Sequence, residues 1–97
     1  MYAAILHLAF PPDRHDEVIR FLADEMLPVI RDNPGFVDFR VLDAGNPGEL
    51  VMMDSWVRRE DSLTAGQRPN AIAVHRRYAD LGITVSSATR YTVVVAT

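Results

Sequence analysis

The spacing of apolar positions changes along the chain, and each change marks an element. Residues 3–10, AAILHLAF, are a short apolar run stopped by Pro11-Pro12. That length and that stop predict a strand buried on both faces. Asp13 is placed to cap a helix, with Asp16 and Glu17 in its first turn, where carboxylates meet the positive end of the helix dipole. Val18, Phe21, Leu22, Met26, Val29 and Ile30 then recur at helical spacing and predict one apolar face. Pro28 sits inside this pattern, where it must kink the helix or end its regular part. Asn33-Pro34-Gly35 is a stop. Residues 36–43, FVDFRVLD, and 49–56, ELVMMDSW, read as two strands around the loop AGNPG, an antiparallel hairpin. If the hairpin is symmetric about its loop, Asp38 lies opposite or near Asp54, and Arg40 shares their face. Residues 58–66 predict a short helix with Leu63 inward. Pro69 opens another helix, running to about Leu81 and stopped by Gly82, and residues 88–96, ATRYTVVVA, form a last strand.

The order β, α, β, β, broken α, β predicts an α+β fold of the ferredoxin-like βαββαβ kind. It is a four-stranded antiparallel sheet with its helices on one face, formed by residues 1–97 as a single domain. The strands carry large apolar residues on both parities: Val37, Phe39 and Val41 against Phe36 and Leu42, and Val51 and Met53 against Leu50 and Met52. The sheet face without helices therefore needs a cover. The simplest cover is a second copy of the chain, which predicts a homodimer through that face.

Composition sharpens this picture. At 97 residues the core is modest, yet 48% of residues are hydrophobic, which again points to apolar surface hidden against a partner. Net charge is −3, with mixed signs and no basic stripe, so nucleic acid is not an expected partner. The chain has no cysteine, which excludes disulfides, thiolate metal sites and cysteine nucleophiles. Its first residues show no targeting pattern, and their apolar run is too short for a bilayer. The expectation is a cytoplasmic protein without a membrane partner. The three histidines are far apart in sequence and no acidic loop has calcium spacing, so no metal site is expected.

The candidate chemistry rests on few side chains. His75 shares a helix face with Ile72 and Ala79, which should look toward the sheet. It is either a half-buried histidine bonded to a neighbour or a catalytic group lining a cleft. His7, between Leu6 and Leu8, is a core histidine bonded to a neighbouring strand or a general base in the cleft between sheet and helices. Trp56 is a packing residue whose indole N–H meets a backbone carbonyl, or one wall of that cleft, and Tyr78 is a second wall. Asp38, Arg40 and Asp54 are a buried network on the dimer face, or, in the cleft, Asp54 or Asp38 is a base with a raised pKa. His15, Arg76 and Arg77 read as solvated.

The segments NPGFVDFRVLDA, ELVMMDSW and REDSLTAGQ, in that order, resemble the antibiotic-biosynthesis-monooxygenase-like family of dimeric α+β barrels. In that family a Pro-Gly-aromatic turn opens the second strand, the third strand closes on a tryptophan, and a helix follows. The resemblance runs from the first strand to the fourth. It implies a small monooxygenase acting on a quinol- or anthrone-like aromatic without a tightly bound cofactor, with His7 and His75 as polar groups and Trp56, Tyr78, Asp54 and Arg40 around the substrate. The alternatives it implies are a haem-binding relative with His75 as axial ligand and a non-catalytic dimer that binds a small apolar ligand. Of the three positions that distinguish the haem-degrading branch, only His75 matches. His7 stands near an expected asparagine, and Ala65 or Gly66 stands where a second tryptophan is expected.

Overall fold

The computed structural model describes residues 1–97. Strand β1 (Tyr2–Ala9) is followed by a 3-10 turn (Pro12–Arg14), helix α1 (His15–Phe21), a π-helical turn (Leu22–Met26) and helix α2 (Leu27–Arg31). The hairpin β2 (Phe36–Leu42) and β3 (Glu49–Trp56) leads to helices α3 (Arg59–Gln67) and α4 (Pro69–Leu81), and β4 (Thr84–Thr92) closes the domain. The sheet order is β2-β3-β1-β4, with every neighbouring pair antiparallel. This is the ferredoxin-like arrangement the element order predicts.

Strand alternation divides the sheet into two faces. Leu6 and Leu8 of β1, Leu50 and Met52 of β3, and Phe39 and Val41 of β2 meet Val18, Phe21, Leu22, Met26 and Leu81 of the helical layer. Ile5, His7, Val51, Met53, Arg40 and Leu42 point the other way, onto a face that no helix covers. The first strand is therefore buried on its helix side, while on its other side Ile5 is only half-buried and His7 is exposed.

Some local expectations change and others hold. The last strand, expected over 88–96, runs Thr84–Thr92. No side chain caps α1, because Asp13 lies within the 3-10 turn. Pro28 interrupts the regular helix as expected: α1 ends at Phe21, and after the π turn Pro28 sits in the first turn of α2, where its missing N–H leaves no helical bond unmade. The π turn just before it carries the chain past the carbonyl a proline would strike, with the Leu27 N–H bonded to the Leu22 carbonyl. In α3 the inward residues are Ser62 and Ala65, and Leu63 faces outward at 38% exposure. Helix α4 ends as expected: Gly82 is left-handed at φ 70, and the Ile83 N–H reaches the Tyr78 carbonyl at 2.8 Å.

Candidate active site

Between the sheet and helices α2, α3 and α4 lies a cleft of about 120 Å³. Its floor is buried: Ala4 of β1, Met52, Asp54 and Trp56 of β3, Met26 of the π turn, Ser62 and Ala65 of α3, and Ala71 of α4. Its rim holds His75, Arg90 and Gly66, which are all exposed.

Asp54 is the one carboxylate on that floor, 8% exposed. It gets there because β3 alternates Leu50, Met52, Asp54, Trp56 toward the helices. The Trp56 indole Nε1–H donates to its Oδ2 at 2.5 Å. Burial raises the Asp54 pKa, and this outweighs the Trp56 hydrogen bond and the positive charge of Arg90, which both pull it down. Arg90 reaches the site from β4, where it is paired in register with Ala4. It forms no ion pair with any carboxylate. Although the outer side of His75 meets solvent at the rim, the protein around the rest of its ring desolvates it and lowers its pKa, which favours the neutral imidazole. The ring also packs edge-on against Tyr78 at 5.4 Å between centroids. The cleft thus combines an apolar floor, one desolvated carboxylate, one neutral imidazole and one free guanidinium.

Trp56, Asp54 and His75 are brought together in this cleft, and the other expected site residues stand elsewhere. His7 is exposed on the uncovered face, because Leu6 and Leu8 on either side of it face the helices. Arg40 is on that same uncovered face, 3.8 Å from Asp38 and well exposed. The hairpin is not symmetric about its loop. From Leu42 opposite Val51 at the loop end, one register runs unbroken to Phe39 opposite Asp54 and Asp38 opposite Ser55, one residue off the symmetric pairing. A one-residue slip exchanges faces, so Asp54 parts from Asp38 and Arg40. Tyr78 stands behind His75 and not in the wall, with its ring against Phe21 and its hydroxyl buried without a partner. The Trp56 N–H meets a carboxylate and not a carbonyl. His15 is half-buried and bridged: it lies 2.8 Å from Asp43 and accepts from the Gly48 N–H at 3.0 Å. Arg77 pairs with Glu25 and Asp80 outside the cleft.

Arg90 and Asn33 were not foreseen. Arg90 comes to the cleft through sheet register: it shares parity with Ala88, which pairs with core-facing Leu6, and its own strand gives no sign of this. Asn33 has no signal either, since its place follows from the end of α2. A cavity of about 150 Å³ takes one benzene ring. The enclosed part of the cleft is on that scale.

The sequence model described as "Antibiotic biosynthesis monooxygenase" matches residues 1–77. The chain belongs to that family. A search of curated proteins returns no match. Solved structures superpose closely at low identity. A Deinococcus radiodurans protein named for the same family has a TM-score of 0.85 at 17% identity, covering 100% of this chain and 96% of that one. HapK from Hahella chejuensis has a TM-score of 0.83 at 14% identity, covering 100% and 96%. SnoaB, a cofactor-independent oxygenase from Streptomyces nogalater, has a TM-score of 0.77 at 15% identity, covering 98% and 94%. At such identities the likeness is one of fold.

Proposed function

We propose that the protein is a small oxygenase for an electron-rich aromatic, that it works without a bound cofactor, and that Asp54 is its base. The observation that carries this reading is the placement of Asp54, a desolvated carboxylate with a raised pKa on the floor of an apolar cleft. A base is most effective when its pKa approaches the working pH. An anthrone-like methylene or quinol hydroxyl bound there gives its proton to Asp54, and the resulting anion is steadied by Arg90 at the rim. The substrate itself supplies the electrons. In the anthrone case the carbanion combines with dioxygen to a hydroperoxide, and loss of one water leaves a carbonyl. His75 serves as a neutral hydrogen-bond partner at the mouth, and Trp56 holds the carboxylate in place. The dry floor protects the anion from water.

The test is dioxygen uptake with anthrone as substrate, comparing the native chain with Asp54→Asn. Loss of a general base lowers turnover by roughly a hundredfold or more, while His75→Ala retains most of the rate. Full activity in Asp54→Asn removes Asp54 from the chemistry. Saturable binding of anthrone without uptake makes the protein a binder of small aromatics. Haemin titration should give no Soret band that depends on His75; a band at one haem per chain, lost in His75→Ala, would move the protein to the haem reading.

A further inference from the structure

We infer that Gly66 sets the size of aromatic the cleft accepts, leaving a slot through which fused rings project beyond the ring held on the floor. This rests on the reading of the cleft as an aromatic site. The cleft holds about one ring, so a larger substrate must leave part of itself at the rim. Helix α3 forms that part of the rim, and it is pinned at both ends to the turn after α2. At its start the Val57 N–H bonds the Gly35 carbonyl at 2.8 Å, and the Asp61 side chain lies against Gly35. At its end Arg68 donates to the Asp32 carbonyl at 3.0 Å and to Asn33 Oδ1 at 2.9 Å. Asn33 in turn donates to the carbonyls of Val29 and Ile30 at 2.8 and 3.0 Å. With α3 held this way, the side chains it presents bound the opening opposite His75 and Arg90.

Those are Ser62, Ala65 and Gly66, at the spacing that puts three residues on one helix face. Ser62 and Ala65 are buried, and Gly66 is the exposed member. Nothing in the backbone demands a glycine there, since its φ is not positive. No neighbour demands it either, since a Cβ at Gly66 would meet no atom within 4 Å. Glycine inside a helix lowers stability relative to alanine. What remains as the consequence of a bare position is open space at the mouth.

The experiment is isothermal titration of the native chain, Gly66→Ala and Gly66→Leu with catechol, which has one ring, and with alizarin, which carries the same diol on three fused rings. Alanine and leucine are better helix formers than glycine, so both variants should melt at or above the native temperature. In Gly66→Leu, catechol affinity should stay within about twofold while alizarin affinity falls roughly tenfold or more, the scale on which a few extra carbons discriminate in a pocket. Gly66→Ala should fall between. Equal alizarin affinity in the native chain and Gly66→Leu overturns the inference, as does an equal loss of both ligands in a folded variant, or a native chain that does not bind alizarin. The gate and the oxygenase reading fail separately. Size selection without dioxygen uptake sinks the oxygenase and keeps the gate, whereas uptake of dioxygen with no size selection does the reverse.

Discussion

At the scale of single residues, Asp54 and Tyr78 carry the sharpest consequences. Asp54 has a folded-state pKa above its ordinary value of 3.8, so the folded chain binds that proton more tightly than the unfolded one. Its contribution to stability is present in acid and is lost as pH rises through the folded pKa. Each unit of such a shift is worth about 1.4 kcal/mol. Asp54→Asn has no charge to desolvate, and its amide oxygen can still accept from Trp56. The variant should therefore be more stable than the native chain at pH 7, and this advantage should shrink as pH falls toward 4 in a series of denaturant melts. A variant less stable at every pH would show that the carboxylate is needed for packing. Tyr78 is pushed up to about 12 by burial and by the charge of Asp54, so it is a neutral phenol, and its hydroxyl has no partner. Removing an unpaired buried hydroxyl is neutral to stabilising, so Tyr78→Phe should gain about 1 kcal/mol in a thermal melt. A loss would reveal a partner in solution. Parity in β1 already separated His7 from Leu6 and Leu8 in the sequence. Asp54 likewise shares its parity with Leu50, Met52 and Trp56; what the sequence did not carry is the one-residue offset of the hairpin that separates it from Asp38 and Arg40.

At the scale of elements, the boundaries of β3 and α4 were legible to the residue, because each is bracketed by strong local signals: the loop before Glu49, Pro69, and Gly82. Features decided by long-range contact were not. Neither the five-residue bonding of the π turn nor the outward side of Leu63 is written in the local pattern of apolar residues. The pinning of α3 has a critical point at Gly35. Its φ is +79, a region costly to other residues, and a Cβ there would collide with the Asp61 carboxylate that accepts from the Arg58 N–H. Strain of this kind costs about 1–3 kcal/mol before any clash is counted. Gly35→Ala should lose at least that much in urea melts, and amides of α3 should exchange faster while those of β1 and β3 keep their order. Uniform loss of protection would mean that α3 is not a separable unit.

At the scale of the whole molecule, one sheet face is finished and the other is not. Ile5, Val51 and Met53 lie on the uncovered face, with Leu42 at 48% exposure and Tyr91 at 50% beside them. His7, Arg40 and Asp38 are on the same face, which gives it polar groups that can fix orientation against a partner. An apolar patch of this kind is rarely left to water. A second copy of the chain is the proposed cover, since a closed twofold assembly needs only the surface already present. The chain should then run in light scattering at twice 10.9 kDa. Met53 is half-buried at the middle of the face, opposite Ile5 and Arg40. Met53→Lys places a charge where the two sheets meet, beside Arg40, and should return the mass to 10.9 kDa. The cleft opens on the opposite side of the sheet, so the monomer should still bind catechol if it folds. A native chain already at 10.9 kDa across micromolar concentrations would leave the face for some other cover. A variant that loses both the dimer and its ordered circular dichroism would mean that the fold itself depends on the pairing of the two sheets.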